Sequence, residues 1–407
     1  MADPANRPRW RSGLAHGLAA VAIQAALAPL TAGAKLRSAT EDTDIYFRYA
    51  TRILAGEIPY RDFPVEYPPL ALPLFLAAKF AAPGLAGFKV AFAVEMMLFN
   101  AATVLLVASR VERREGLDRV PARLAWYTLY FLILSRLLVA RFDAAPMFLG
   151  FAASAWWFSG RGGRGGLAAA LGALAKVYPG MVAVLALARD RARPGAGRGN
   201  GAVAFALTSM IGVAGWLALG GVGGVSTSVR YHLGRGFEYG SVPSGAQMLA
   251  AKLAGAEISI ARDHASFSTI TPWSPTLLAW ALPVQVAAIL GVLVAFARRG
   301  MREGVRYSGA AVLAFIATGK VLSPQYLLWM MPYLAVLEGP AAPRCRRLFA
   351  AICAATLLAP SLLQVQSRTS LGVILAYNAR NALVGWLLIL LVFAPAAGRA
   401  DDDVEGA

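Results

Sequence analysis

The sequence predicts an all-α, polytopic membrane bundle of about 10–12 spans. Apolar residues make up 58% of the 407 and charged residues only 15%, where a soluble domain is nearer half and a quarter. Mean hydropathy is +0.56. Arginines fall in short clusters between long uncharged runs. A formal net charge of +17 on a soluble protein would point to nucleic acid. Clustered this way, the arginines read instead as topology signals facing anionic inner-leaflet lipid, so no nucleic-acid partner is expected. A soluble multidomain enzyme and a disordered chain are excluded. Richness in Ala, Gly and Arg suggests a GC-rich bacterial genome, hence a bacterial plasma membrane.

Residues 13–34 carry no formal charge and follow Arg7, Arg9 and Arg11, which predicts a first span with its N-terminus inside. Ala32-Gly33-Ala34 would suit signal-peptide cleavage, but the run is longer than a usual signal core. Residues 35–69 contain Pro59, Pro64, Pro68 and Pro69 and form a structured first outer loop. Within it, the spacing of Tyr46, Tyr49, Ala50, Ile53 and Leu54 predicts a helix over 43–56 ending at Gly56. Residues 70–83 are too short to cross and suit an interfacial or re-entrant helix. A span over 84–109 leads to a five-arginine inner loop at 110–123.

Runs 124–140 and 144–159 go out and back to Arg161 and Arg164. Residues 166–188 start and finish beside basic loops, which predicts a helical hairpin broken near Pro179. A span at 201–220 reaches a second large outer segment, 221–275, full of turn residues, and 276–297 returns to Arg298, Arg299, Arg302 and Arg306. Short runs at 307–318 and 326–337 flank a Ser323-Pro324 turn, and 348–363 and 382–394 close the bundle. Residues 1–397 read as one transmembrane domain and 398–407 as an acidic cytoplasmic tail.

Cys345 and Cys353 lie at one span, so no disulfide framework is expected. His16, His232 and His264 are scattered, and no metal or cofactor is expected. The glycines of 160–166 lack the strand that a dinucleotide site needs. Acidic residues crowd the first outer loop: Glu41, Asp42, Asp44, Asp62 and Glu66. A carboxylate beside aromatics at a membrane surface suits a general base toward a hydroxyl; solvated loop charges are the alternative. Lys176 stands in an apolar run just before Pro179, a costly position that favours a cavity over snorkelling. Arg235 and His232 suit a phosphate. Lys320 and Gln325 flank the Ser323-Pro324 turn. Asp143 is a second polar group or a partner of Arg141 or Arg136, and Lys89 and Glu95 read as structural.

The run D-x-Y-x-x-Y…L-x-G-x-x-P-Y-x-D-F-x-x-E-Y-P-P from Asp44 to Pro69 resembles the opening of the glycosyltransferase family 87 proteins, polyprenyl-phosphate-mannose-dependent mannosyltransferases. Arg141-Phe142-Asp143, the K-x-Y-P break at Lys176–Pro179 and the S-P-Q-Y-L-L-W run at 323–329 agree, and Tyr231-His232…Arg235-Gly236 matches more weakly. The resemblance implies a GT-C-type bundle whose active site lies on the extracytoplasmic face. It implies inverting transfer of mannose from a polyprenyl phosphate to a glycolipid or glycan, with α linkage. By motif position Asp44 would be the base, beside Glu41 and Asp42. Lys176, Tyr178, His232, Arg235, Gln325 and Tyr326 would serve donor and phosphate. Asp42, Tyr46, Glu66, Tyr67, Asp143 and Lys320 are further cleft candidates. Arabinose and glucose donors stay open. A transporter or lipid-linked-sugar flippase is the rival reading. The elaborated first outer loop and the lack of a convincing internal repeat speak against it.

Overall fold

The computed structural model describes residues 10–36, 41–192, 199–263, 266–362 and 367–395; the acidic tail and His264 lie outside them. Three long helices, α1 (Trp10–Leu36), α4 (Leu85–Glu115) and α5 (Val120–Ala140), pack as one group. A buried polar chain ties them. Asn100 Nδ2 donates to Gln24 Oε1 at 2.7 Å, Gln24 Nε2 to Thr128 Oγ1 at 3.0 Å, and Tyr127 OH to Asn100 Oδ1 at 2.9 Å. Without a hydrophobic drive between helices in lipid, such bonds help select the packing.

The expected loop helix forms as α2 (Glu41–Leu54), and Gly56 ends it with φ 93°. It is amphipathic: Tyr46 and Ala50 are buried, and Arg48, Thr51 and Arg52 are exposed. A 3-10 turn, Pro69–Ala71, leads into the short α3 (Leu72–Ala81). Tyr46 stacks on Phe75 of α3 at 4.3 Å and meets Phe142 edge-on at 5.8 Å. This aromatic knot seats the loop helix on the bundle.

Next come α6 (Ala144–Trp157), α7 (Gly162–Ala175) and α8 (Gly180–Ala192). The break expected near Pro179 falls at Lys176, whose backbone is extended (φ −159°, ψ 126°). Pro179 packs against Gly172, where a Cβ would come within 2.6 Å of the proline ring.

Two expectations for the second outer segment and the last span need correction. Residues 222–234 are not turns: α9 (Gly199–Gly234) runs through them and is interrupted only at Gly221, with φ 60°. Gly and Ser there lower helix propensity, but a membrane-depth backbone left unpaired costs more, so the helix continues. A small sheet then forms from β1 (Phe237–Glu238), β2 (Ser259–Asp263) and β3 (Ser266–Ile270), antiparallel in the order β1-β3-β2, with α10 (Val242–Leu253) inserted.

After α11 (Ser274–Ala295) and a π-turn at Phe296–Gly300 come α12 (Gly304–Thr318), a 3-10 turn Pro324–Met330, α13 (Met331–Ala335), α14 (Ala342–Leu362) and α15 (Leu371–Phe393). The last span therefore begins well before residue 382. Asn378 and Arg380 interrupt its apolar run but find carbonyl partners: Asn378 Nδ2 donates to Gly245 O at 2.9 Å, and Arg380 Nη2 to Gly240 O.

Six described helices are long and apolar enough to cross a membrane: α1, α4, α5, α9, α11 and α15. The protein is a multi-pass membrane protein. The other crossings counted from sequence fall on shorter or more polar helices, such as α6, α7, α8, α12 and α14. One end of the bundle is tied by its arginines: Arg123 to Glu115, Arg114 to Glu338 at 3.4 Å, and Arg189 to Asp190 at 2.8 Å. The other end gathers α2, the sheet and the turns at 141–143, 176–179 and 319–326 around one cavity.

Candidate active site

A cavity of about 970 Å³ opens at this end. One wall is the first loop. Asp42 and Tyr46 are one turn apart on α2, so both side chains fall on one face, and both line the cavity. Asp42 forms an ion pair with Arg141. Asp44, two residues on, falls on another face. Its carboxylate meets Lys89 Nζ of α4 at 2.9 Å and does not line the cavity. The expectation that Asp44 stands at the site is not met; helix phase puts Asp42 there instead. Nothing is described of the Glu41 side chain.

Glu66 and Tyr67 follow on the same loop. The phenols of Tyr67 and Tyr231 close on the Glu66 carboxylate. Burial, with the nearby Asp143 and Glu66 charges, raises the Tyr46 phenol well above its ordinary value, so it stays a neutral donor. The loop is pinned to α9: His232 Nε2 donates to Glu66 O at 2.8 Å, and Ser228 Oγ donates to Val65 O.

The second wall is the α7–α8 break. Lys176 Nζ stands 2.6 Å from Asp143 Oδ1, which also accepts from Trp329 Nε1 at 2.7 Å. Asp143 is 1% exposed and Lys176 17%, so the lysine end faces the cavity. Its ammonium lies 4.7–5.3 Å from the rings of Phe142, Trp329 and Tyr326. Tyr178 and Tyr326 stack on the two sides of Trp329 at 3.9 and 4.2 Å. Aromatic faces hold the ammonium in register where it is shielded from water.

The third wall joins the end of α9, the sheet and the turn before α13. Arg235 Nη2 donates to Ser266 Oγ at 3.0 Å. Lys320 Nζ donates to Leu233 O at 2.6 Å, and Ser323 Oγ to Glu238 Oε1 at 2.8 Å. Burial pushes the Glu238 carboxyl up and the Lys320 ammonium down, the latter helped by neighbouring Arg235. Gln325 lines the same wall.

Every candidate cleft and binding residue named from sequence except Asp44 therefore lines one cavity. Sequence reasoning missed Glu238, Trp329, Arg368 and Arg380, which line it too. Among the described residues no group of three His, Cys, Asp or Glu side chains is arranged to hold a metal ion.

The charges divide the chamber. Near α2 and the α7–α8 break, Asp42, Asp143 and Glu66 face Arg141 and Lys176. Near the sheet, Arg235 and Arg380 act on the carboxylate of Glu238, and Lys320 stands near Arg235. The fold is thus a multi-pass helical bundle with a cavity at one end whose lining carries both carboxylates and cations. The chain belongs to glycosyltransferase family 87, whose model it matches over residues 66–324, and it is a membrane glycosyltransferase. No curated protein matches the chain significantly. Among solved structures it is similar to apo ArnT from Cupriavidus metallidurans, at 14% identity and a TM-score of 0.44, over 85% of this chain and 72% of that one.

Proposed function

We propose that the protein transfers a sugar with inversion from a polyprenyl phosphate to a hydroxyl of an extracytoplasmic glycolipid or glycan, with Asp42 as general base. The motif resemblance supports mannose as that sugar, an α linkage and a GT-C-type bundle in the bacterial plasma membrane. The observation that carries the reading is the division of charge across one cavity. An inverting displacement needs a base on the acceptor side and cations on the leaving-group side, with no second nucleophile between.

The acceptor oxygen attacks the anomeric carbon as the bond from that carbon to the phosphate oxygen breaks. The acceptor proton passes to Asp42, which is ion-paired to Arg141. Charge building on the lipid phosphate falls to Arg235 and Lys320, whose other contacts are to neutral oxygens of Ser266 and Leu233. Lys176 is already matched by Asp143; it orients that wall and adds only a share of its charge. Glu66, with Tyr67 and Tyr231, suits hydroxyl binding.

The lipid tail leaves between α9 and α11, the least buried of the six long helices. Their apolar residues Val229, Leu233, Leu278 and Leu282 line the cavity.

Purified protein incubated with radiolabelled polyprenyl-phosphate-mannose and a bacterial membrane lipid extract should release polyprenyl phosphate and yield one labelled, α-linked product. Label that only crosses the vesicle membrane on its intact carrier would instead support the flippase reading.

A further inference from the structure

Arg380 sits in α15, outside the family match, nine residues and about 14 Å along the helix from Leu371 at 1.5 Å per residue. It is 3% exposed, and it lines the cavity. Its Nη2 is spent on the Gly240 carbonyl, which fixes the guanidinium plane, and its Tyr377 neighbour packs with its ring 5.6 Å away. Its Nε and Nη1 have no partner among the described residues. Glu238 is the nearest carboxylate to consider. Its Oε1 accepts from Ser323 Oγ, and although it feels the Arg380 charge, its Oε2 makes no hydrogen bond to Arg380. A guanidinium cannot shed its proton, and a buried cation inside a span with two nitrogens unspent is costly and marks a place where an anion or polar ligand completes the site.

We infer that Arg380 is an additional phosphate-binding residue of the cavity and that the anion it completes is the phosphate of the polyprenyl donor. The inference rests on the reading of the cavity given under Proposed function. Arg380 would join Arg235, which acts on the same Glu238 carboxylate, and Lys320, which lines the cavity near Arg235. The three cations come from α15, the end of α9 and the turn after α12, so the site exists only when the C-terminal helix has docked. A planar, pre-fixed guanidinium with unspent N–H groups suits phosphoryl oxygens better than a sugar hydroxyl.

The test compares binding of undecaprenyl phosphate and of undecaprenol to the purified full-length protein, in wild type, Arg380→Gln and Arg380→Lys. Wild type should prefer the phosphate. Arg380→Gln should lower phosphate binding roughly ten- to a hundredfold, the range for a lost charge-assisted contact, while leaving undecaprenol binding unchanged. Arg380→Lys should restore part of the preference. If Arg380→Gln does not fold, the ratio for Arg380→Lys still decides. An unchanged preference for phosphate in whichever variant is folded overturns the inference. Failure of wild type to distinguish the two lipids would instead strike the polyprenyl-phosphate reading itself. A loss confined to the acceptor's KM, with undecaprenyl phosphate binding intact, would place the anion on the acceptor and overturn the donor assignment.

Discussion

Two residues of helix phase decide which aspartate of α2 lines the cavity. The motif pointed to Asp44, because a linear pattern does not say which side of α2 faces inward. Tyr46 settles it: it is buried in the aromatic knot, and the residue one turn before it is Asp42. The Asp44–Lys89 pair, 26% and 11% exposed, is a partly solvated bridge worth about 0–1 kcal/mol. Lys176 was readable as a cavity residue from its place beside Pro179, but its partner was not: Arg141 and Arg136 are nearer to Asp143 in sequence, and Lys176 is 33 residues away. Arg380 was hidden because the last span was expected to begin at residue 382, beyond the polar Asn378, Arg380 and Asn381.

The buried pair makes a sharp prediction at this scale. Lys176→Met strands a carboxylate that is 1% exposed, and denaturant titration should show a loss of about 3–5 kcal/mol. Adding Asp143→Asn should recover most of it. Additive losses would mean that the two residues are not coupled.

At the scale of elements, the first loop and α9 work as one unit. Gly220 and Gly224 let α9 come against Tyr60, and Ser228 and His232 bond the loop carbonyls. Between them Gly221 takes a left-handed φ of 60°. Gly221→Ala should cost about 1–2 kcal/mol and straighten the upper turns of α9. Gly224→Val should push Tyr60 away. Both should speed proteolysis within residues 57–68, and unaltered cleavage of that segment in both variants would contradict the coupling.

The helix over the first loop, the short helix after it and the break at Pro179 were legible, because caps, length and proline are local signals. The extension of α9, the small sheet and the early start of α15 were not. There the deciding terms are lipid, which penalises open backbone whatever the propensity, and partners more than a hundred residues away.

At the scale of the whole molecule, arginine asymmetry predicted that all the chemistry shares one side, and the fold gathers those segments at one end of the bundle. Cysteines at position 57, half-buried, and position 255, exposed, should be labelled from outside intact cells. One at position 119, also exposed, should be labelled only after permeabilisation. Equal labelling of 57 and 119 would break the scheme.

The most direct test of the central claim measures single-turnover sugar transfer by Asp42→Asn and Asp44→Asn side by side, with donor binding followed in the same samples. Asp42→Asn should slow transfer by about 10²–10⁴-fold, the usual worth of a general base, with donor binding kept. Asp44→Asn should stay within a few-fold of wild type, since it loses only the Lys89 bridge. Near-normal turnover in Asp42→Asn, with the large loss in Asp44→Asn, would contradict the account.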